Sequence, residues 1–230
     1  MTNSDYTSNR DKTLKRVRSV IDRITSDGKA TARSDNSVHD IFPVAVDIAE
    51  GKALRDWVIK EKAVHTIEIG LAYGVSALYI CEGLLTNGDQ KARHLALDPH
   101  QSNFKKLGLQ FLEEAGVAHL VEHLAEESQI ALPRFLSESR HFDFAFVDGS
   151  HLFDRVFLDL IYLGRLVRPG GIIFADDYQA PAVVRAVSFC LTNLEWKLEE
   201  SSPSDKHHQW VVLRTAREPI PRSYPHFVDF

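Results

Sequence analysis

The chain has 230 residues, 44% hydrophobic and 26% charged, with a formal net charge of -5. That length suits one α/β domain with a modest N-terminal addition, and the apolar content is enough for a sizeable core, which excludes disorder throughout. An acidic balance without a basic tract speaks against a nucleic-acid backbone or an anionic membrane surface as partner.

Residues 1–10, "MTNSDYTSNR", are polar and aperiodic, so they are expected to be disordered and to carry no secretory signal. A helix is expected over 11–26, with Leu14, Val17, Val20, Ile21 and Ile24 on one face. The basic residues of "RDKTLKRVRS" read as its solvated side. By composition "TSDGKATARSDNSVHD" is a loop, and a second helix is expected over 43–61 with Pro43 near its first turn. Cys81 and Cys190 fall in apolar helical patterns, which points to buried free thiols and a reducing compartment. No apolar run reaches the ~18 residues of a membrane helix, so a soluble, cytoplasmic protein is expected.

From residue 65 short apolar runs alternate with helical stretches: "HTIEIG" then 74–86, "HLALD" then 102–115, "HLVEHL" then 127–138, "FDFAFVD" then 152–167, and "GIIFAD" then 181–194. Gly116 is placed to stop its helix, and "RPGG" at 168–171 is a turn into a strand. Five strand–helix units in succession predict a doubly wound parallel sheet with helices on both faces. "EWKLEES" and "HHQWVVLRT" follow with no helix between them, a hairpin that makes the last strand antiparallel.

Ligands of such sheets bind at the carboxyl ends of the strands. Nearly every strand here ends in an acid: Glu68, Asp98, Glu126 with Glu127, Asp148, and Asp176 with Asp177. In "TIEIGLAYGVSAL", Gly70 permits a tight turn and Gly74 a close approach of the helix start to a ligand. Asp98 is placed to accept hydrogen bonds from both ribose hydroxyls of an adenosine. Glu68 then discriminates between cofactors. A dinucleotide pyrophosphate disfavours a nearby carboxylate, whereas S-adenosylmethionine carries an ammonium and a sulfonium that an acid attracts. Asp148, Asp176 and Asp177 end adjacent strands ~5 Å apart. Three crowded carboxylates repel unless a cation joins them, and oxygen ligands suit Mg²⁺ first, then Ca²⁺ or Mn²⁺. His151, three residues after Asp148, is the candidate base, with an imidazole that ordinarily titrates in a useful range. His207 and His208 read as surface residues, and the role of His39 is open.

"EIGLAYGVSALYI" resembles the first motif of class I S-adenosylmethionine-dependent methyltransferases, closest to the catechol and caffeoyl-CoA O-methyltransferase type. The resemblance runs over about residues 50–215 and includes "ALDPH", "FDFAFVDGSH", "RPGGIIFADDY" and the terminal hairpin. The "DDY" pairing is similar instead to macrocin-type O-methyltransferases, because the catechol type has Asp-Asn where Asp176 and Asp177 stand. The resemblance implies a Rossmann-like seven-stranded sheet, mostly parallel with the last strand antiparallel, behind N-terminal helices. It implies cofactor contacts at Glu68, Gly70, Leu71, Ala72, Gly74, Ser76, Asp98, Glu127, Ser128 and Asp148. It also implies a metal at Asp148, Asp176 and Asp177, with Asp148 and His151 in the chemistry. The expected domains are a tail and helix over 1–40, a methyltransferase domain over 41–216 and a C-terminal tail over 217–230.

The function expected is Mg²⁺-assisted O-methylation of a small hydroxylated molecule, in a chain that forms a homodimer by family resemblance. The alternatives are a metal-independent N- or O-methyltransferase, a nicotinamide-dependent oxidoreductase, and a binding module that kept the fold and lost its reaction. The tail aromatics Tyr224, Phe227 and Phe230 are candidates to cover a pocket or a second copy.

Overall fold

A computed structural model describes residues 3–203, 208–218, 223 and 225–230, the side chains of 3–6 excepted. His207 and Tyr224 lie outside the described residues. In chain order the elements are α1 (Asn3–Asp27), β1 (Lys29–Thr31), β2 (Val38–Asp40), α2 (Ile48–Lys60), β3 (His65–Ile69), α3 (Val75–Asn87), β4 (Arg93–Leu97) and α4 (Leu107–Ala115). A 3-10 turn, Ala118–Leu120, leads into β5 (Val121–Leu124) and α5 (Ser128–Ser137). Then come β6 (Phe142–Val147), α6 (Phe153–Leu166), β7 (Val167–Ala175), α7 (Pro181–Asn193), β8 (Lys197–Ser201) and β9 (Val211–Arg214).

The seven-stranded sheet has the order β5-β4-β3-β6-β7-β9-β8. β4 pairs with β5 and β6 with β7 in parallel, while β9 is antiparallel to both β7 and β8. Both the five strand–helix units and the reversed final strand agree with the sequence pattern. Chain order runs outward from β3 in one direction and, from β6, in the other, so β3 stands where doubly wound sheets carry ligands.

The chain divides into two compact units: Met1–Thr66 with Leu71–Ala125, and Ile67–Gly70 with Glu126–Phe230. In the first, α1 packs on α3 and α4, and α2 packs on α3. Val17, Val20, Ile21 and Ile24 of α1 are buried, the stripe expected from the periodicity. Arg18 and Arg55 converge on the buried Glu82 of α3, so a carboxylate inside this helical layer keeps its charge paired. In the second unit β6 and β7 are buried on both faces, with Phe144, Phe146, Ile172, Ile173 and Phe174 wholly enclosed. That explains their continuous apolar runs, the pattern of strands covered by helices on both sides. Here α5 packs on α6 and α6 on α7.

Five local expectations are corrected. The first helix begins at Asn3, not near residue 11; Thr7, Ser8 and Asn9 stay exposed while the downstream stripe anchors the helix. The segment expected to be a loop holds the β1–β2 hairpin, paired from Lys29↔Asp40 to Thr31↔Val38. The second helix starts at Ile48, capped by Asp47, whose side chain accepts from Glu50 N at 2.8 Å; Pro43 sits in the preceding turn. And α4 starts at Leu107 rather than 102, after Lys105 and Lys106 in left-handed conformation. "RPGG" is a bulge within β7, where the register jumps between Phe142↔Val167 and Phe144↔Ile172.

Candidate active site

In the first unit the functional side chains gather at the end of β4. Asp98 is 4% exposed. Its Oδ2 accepts from Leu71 N at 3.2 Å, Ala72 N at 2.8 Å and Gln101 Nε2 at 2.7 Å, and its Oδ1 accepts from His100 N at 2.6 Å. The carboxylate therefore pins the turn between β3 and α3, in which Ala72 has φ +41°. Gly74 is left-handed at φ +71°, and a Cβ there would meet Gly108 Cα at 2.9 Å. The close approach that the sequence assigned to a ligand is thus also one between backbones, Gly74 against the start of α4. Ser76 is buried in the first turn of α3. Gln101 was missed in the sequence. It bridges Asp98 and Ala72 O (2.8 Å), and its Oε1 is buried with no hydrogen-bond partner. The signal was its place in the turn after β4, three residues beyond Asp98.

In the second unit Glu68 is fully buried in β3. Gly70, at φ +92°, is required there, because a Cβ would fall 2.0 Å from Asp148 O. Asp148 N donates to Ile69 O and Asp176 N to Val147 O, so adjacent strand ends hold the acids in place. Their side chains do not form one trio. Among the described residues two sets of potential ligands occur, Asp148–His151–Asp177 and Asp176–Asp177–His208, with ligand atoms within 4.8 Å in each. Asp177, left-handed at φ +52°, belongs to both. His151 Nε2 lies 2.7 Å from Asp177 Oδ2, a hydrogen bond, and 3.8 Å from Asp148 Oδ1, a charge contact only.

The electrostatics follow from this crowding. Burial raises the Asp148 carboxyl to about 6, against His151, which lowers it, and with Asp177 and Glu68 adding to the rise. Asp148 and Asp177 together raise His151 to about 10. Burial works upward on Asp177 too, but His151 outweighs it and the carboxyl ends below its ordinary value. The two carboxylates thus favour the protonated imidazole of His151, above the ordinary range. Donors of this kind, carboxylate oxygens with imidazole nitrogen, fit a divalent cation.

Glu127 precedes α5 and pairs with Arg155 of α6 at 3.3 Å. Asp159 of α6 is 2% exposed; burial raises its carboxyl to about 7, against Ser128 and Arg155, which lower it. His39 lies on β2, 2.7 Å from Ser37 Oγ. The tail lies along α7: Asn193 bonds both N and O of Val228, and the Phe230 ring packs on Phe189 with centroids 5.1 Å apart. Cys81 and Cys190 are buried and neither forms a disulfide among the described residues, as expected.

Residues 67–178 match the sequence model of a family described as "Methyltransferase domain". The chain is 34% identical to the tapetum-specific methyltransferase 1 of Arabidopsis thaliana over 116 residues, 50% of this chain and 47% of that one. It is 29% identical to a caffeoyl-CoA O-methyltransferase of Mesembryanthemum crystallinum over 140 residues, 58% of this chain and 53% of that one. The chain thus spans about half the length of these relatives. The crystal structure of an O-methyltransferase from Bacillus cereus in complex with SAH superposes with a TM-score of 0.66 at 17% identity, covering 89% of this chain and 90% of that chain. Residues 67–178 are thus similar in sequence to methyltransferase domains, and the fold is shared with an O-methyltransferase of known structure. Among the described residues no helix is long and apolar enough to cross a membrane.

Proposed function

We propose that the chain is an S-adenosylmethionine-dependent O-methyltransferase acting on a small hydroxylated molecule, assisted by a divalent cation, Mg²⁺ first. The observation that carries this reading is the Asp148–His151–Asp177 cluster, a proton-holding imidazole between two carboxylates at the ends of β6 and β7. Residues 41–216 form the catalytic domain, flanked by 1–40 and 217–230. The protein works in the cytoplasm as a homodimer.

Asp98 takes the ribose hydroxyls, assisted by the turn amides it already orients, and Glu68 offsets the positive charge of the methionine end. Gly70, Leu71, Ala72, Gly74 and Ser76 line the turn against the cofactor, and Glu127 and Ser128 contact the adenine. Asp177, common to both sets, would hold the cation with Asp148 or with Asp176 beside it, and the ion would lower the pKa of the acceptor hydroxyl. His151 then takes the proton. The role needs a neutral ring, and a cation sharing Asp148 and Asp177 would offset the negative charge that raises its pKa. In the transfer an O–C bond forms as the S–C bond breaks; the electron pair stays on sulfur, and the hydroxyl proton goes to the His151 imidazole.

Calorimetry with S-adenosylmethionine and its demethylated product SAH tests the cofactor, and micromolar binding is expected. No heat with cofactor in large excess would end the reading. Methyl transfer to catechol-like acceptors should stop in EDTA and return with Mg²⁺. Undiminished turnover in EDTA would favour the metal-independent alternative.

A further inference from the structure

We infer that His208 is a ligand of the cation, and that its imidazole makes the centre select a transition ion such as Mn²⁺ or Co²⁺ over Mg²⁺; this rests on the metal-assisted reading above. Asp176, Asp177 and His208 each present one ligand atom, all within 4.8 Å of one another. Two ligands on opposite sides of an ion with bonds of ~2.1 Å span ~4.2 Å, so closing this set needs only small side-chain adjustments.

The placement is built into the fold. β9 runs antiparallel to β7 with Ala175↔Val211 in register, so residues just before β9 arrive beside the acids just after β7. Two hydrogen bonds clip the segments together: Tyr178 N donates to Gln209 O at 2.6 Å, and Gln209 N donates to Gln179 Oε1 at 2.8 Å. His208 is thereby held next to the turn carrying Asp177. Asp177 meets His151 through Oδ2 and accepts from Gln179 through Oδ1, and each oxygen retains lone-pair capacity for an ion. Asp176, 7% exposed, supplies a shielded second oxygen. Only carboxylate oxygens would leave hard Mg²⁺ the natural guest. One nitrogen donor moves preference along the series in which affinity rises from Mn²⁺ through Co²⁺.

Mn²⁺ alone is the probe, added to the full chain. Titration followed by the loss of the free-ion EPR signal, with Mg²⁺ as competitor, should show Mn²⁺ bound at least tenfold more tightly than Mg²⁺. Electron spin echo modulation should reveal a directly bound ¹⁴N that vanishes in His208→Ala and His208→Gln and persists in His151→Ala. The two His208 variants, checked for fold by circular dichroism, should bring the Mn²⁺/Mg²⁺ ratio to within threefold of unity. Bound Mn²⁺ without nitrogen modulation, or modulation lost only in His151→Ala, would overturn the His208 assignment and leave metal assistance standing. No bound Mn²⁺ in the unaltered protein would overturn both.

Discussion

Two strand-end acids of the same residue type sit in opposite electrostatic conditions. Asp98, after β4, is enclosed by four N–H donors, three of them backbone amides. Asp148, after β6, faces Asp177 and a buried Glu68, with one imidazole to offset them. The first arrangement lowers the energy of a fixed turn and asks nothing of the solvent. In the second, protons are held where a charge of another kind is wanted. Strand-end position alone therefore does not define a carboxylate's work; the count and sign of its neighbours do.

The sharpest way to break this contrast is His151→Ala. Methyl transfer should fall by ~10²–10⁴-fold, the range for loss of a positioned proton acceptor, while SAH affinity measured by calorimetry stays within threefold. A variant that loses both equally would mean that His151 holds the fold or the cofactor rather than a proton.

Asp159→Asn extends the contrast to a third acid of the second unit. Ser128, Arg155 and Glu127 face it, and burial dominates. Its folded carboxyl, at about 7, lies above the ordinary 3.8, so the folded state binds more protons than the unfolded state between those values. Stability should therefore fall as pH rises from about 4 to about 7 and level off above, by up to ~4 kcal/mol in the limit that the whole gap is expressed. Asp159→Asn should remove that slope in urea titrations at pH 4, 6 and 8. Parallel slopes for the variant and the parent would place the pH dependence elsewhere.

Asp98→Asn comes next. It puts an amide where Oδ2 receives three donors, and SAH affinity and unfolding free energy should each drop by ~1.5–3 kcal/mol, the worth of hydrogen bonds to a charged group. Mn²⁺ binding should be unchanged. A loss of metal affinity in this variant would erase the distinction drawn between the two acids.

The regular part of the fold was legible because period and punctuation agree. Each parallel strand is a short apolar run, and Gly116, Gly70 and Gly74 stand where left-handed backbone is needed. The β1–β2 hairpin was not, since three-residue strands with exposed alternate positions carry almost no apolar signal. For the site, the acids could be found by position. Their grouping could not, because it depends on side-chain direction and on the left-handed turn at Asp177. His208 looked like a surface residue when read along the chain. The reversed direction of the last strand was expected, but its pairing with β7, which brings His208 to Asp176, was not.

The smallest effect expected is from Gln101→Leu, and it tests what holds the Asp98 turn. Removing the carboxamide deletes a charge-assisted bond to Asp98 and a bond to Ala72 O, but it also removes a buried Oε1 with no partner. The lost bond to a charged group, ~1.5–3 kcal/mol, and the relieved desolvation of the orphan oxygen, ~1–3 kcal/mol, nearly offset each other. Thermal unfolding should then shift by less than ~1 kcal/mol in equivalent stability, and SAH affinity by less than fivefold. A cost equal to that of Asp98→Asn would mean that the side-chain amide, rather than the backbone N–H groups of Leu71 and Ala72, keeps the carboxylate in place. The turn would then be a mobile element, and the calm half of the contrast would fail.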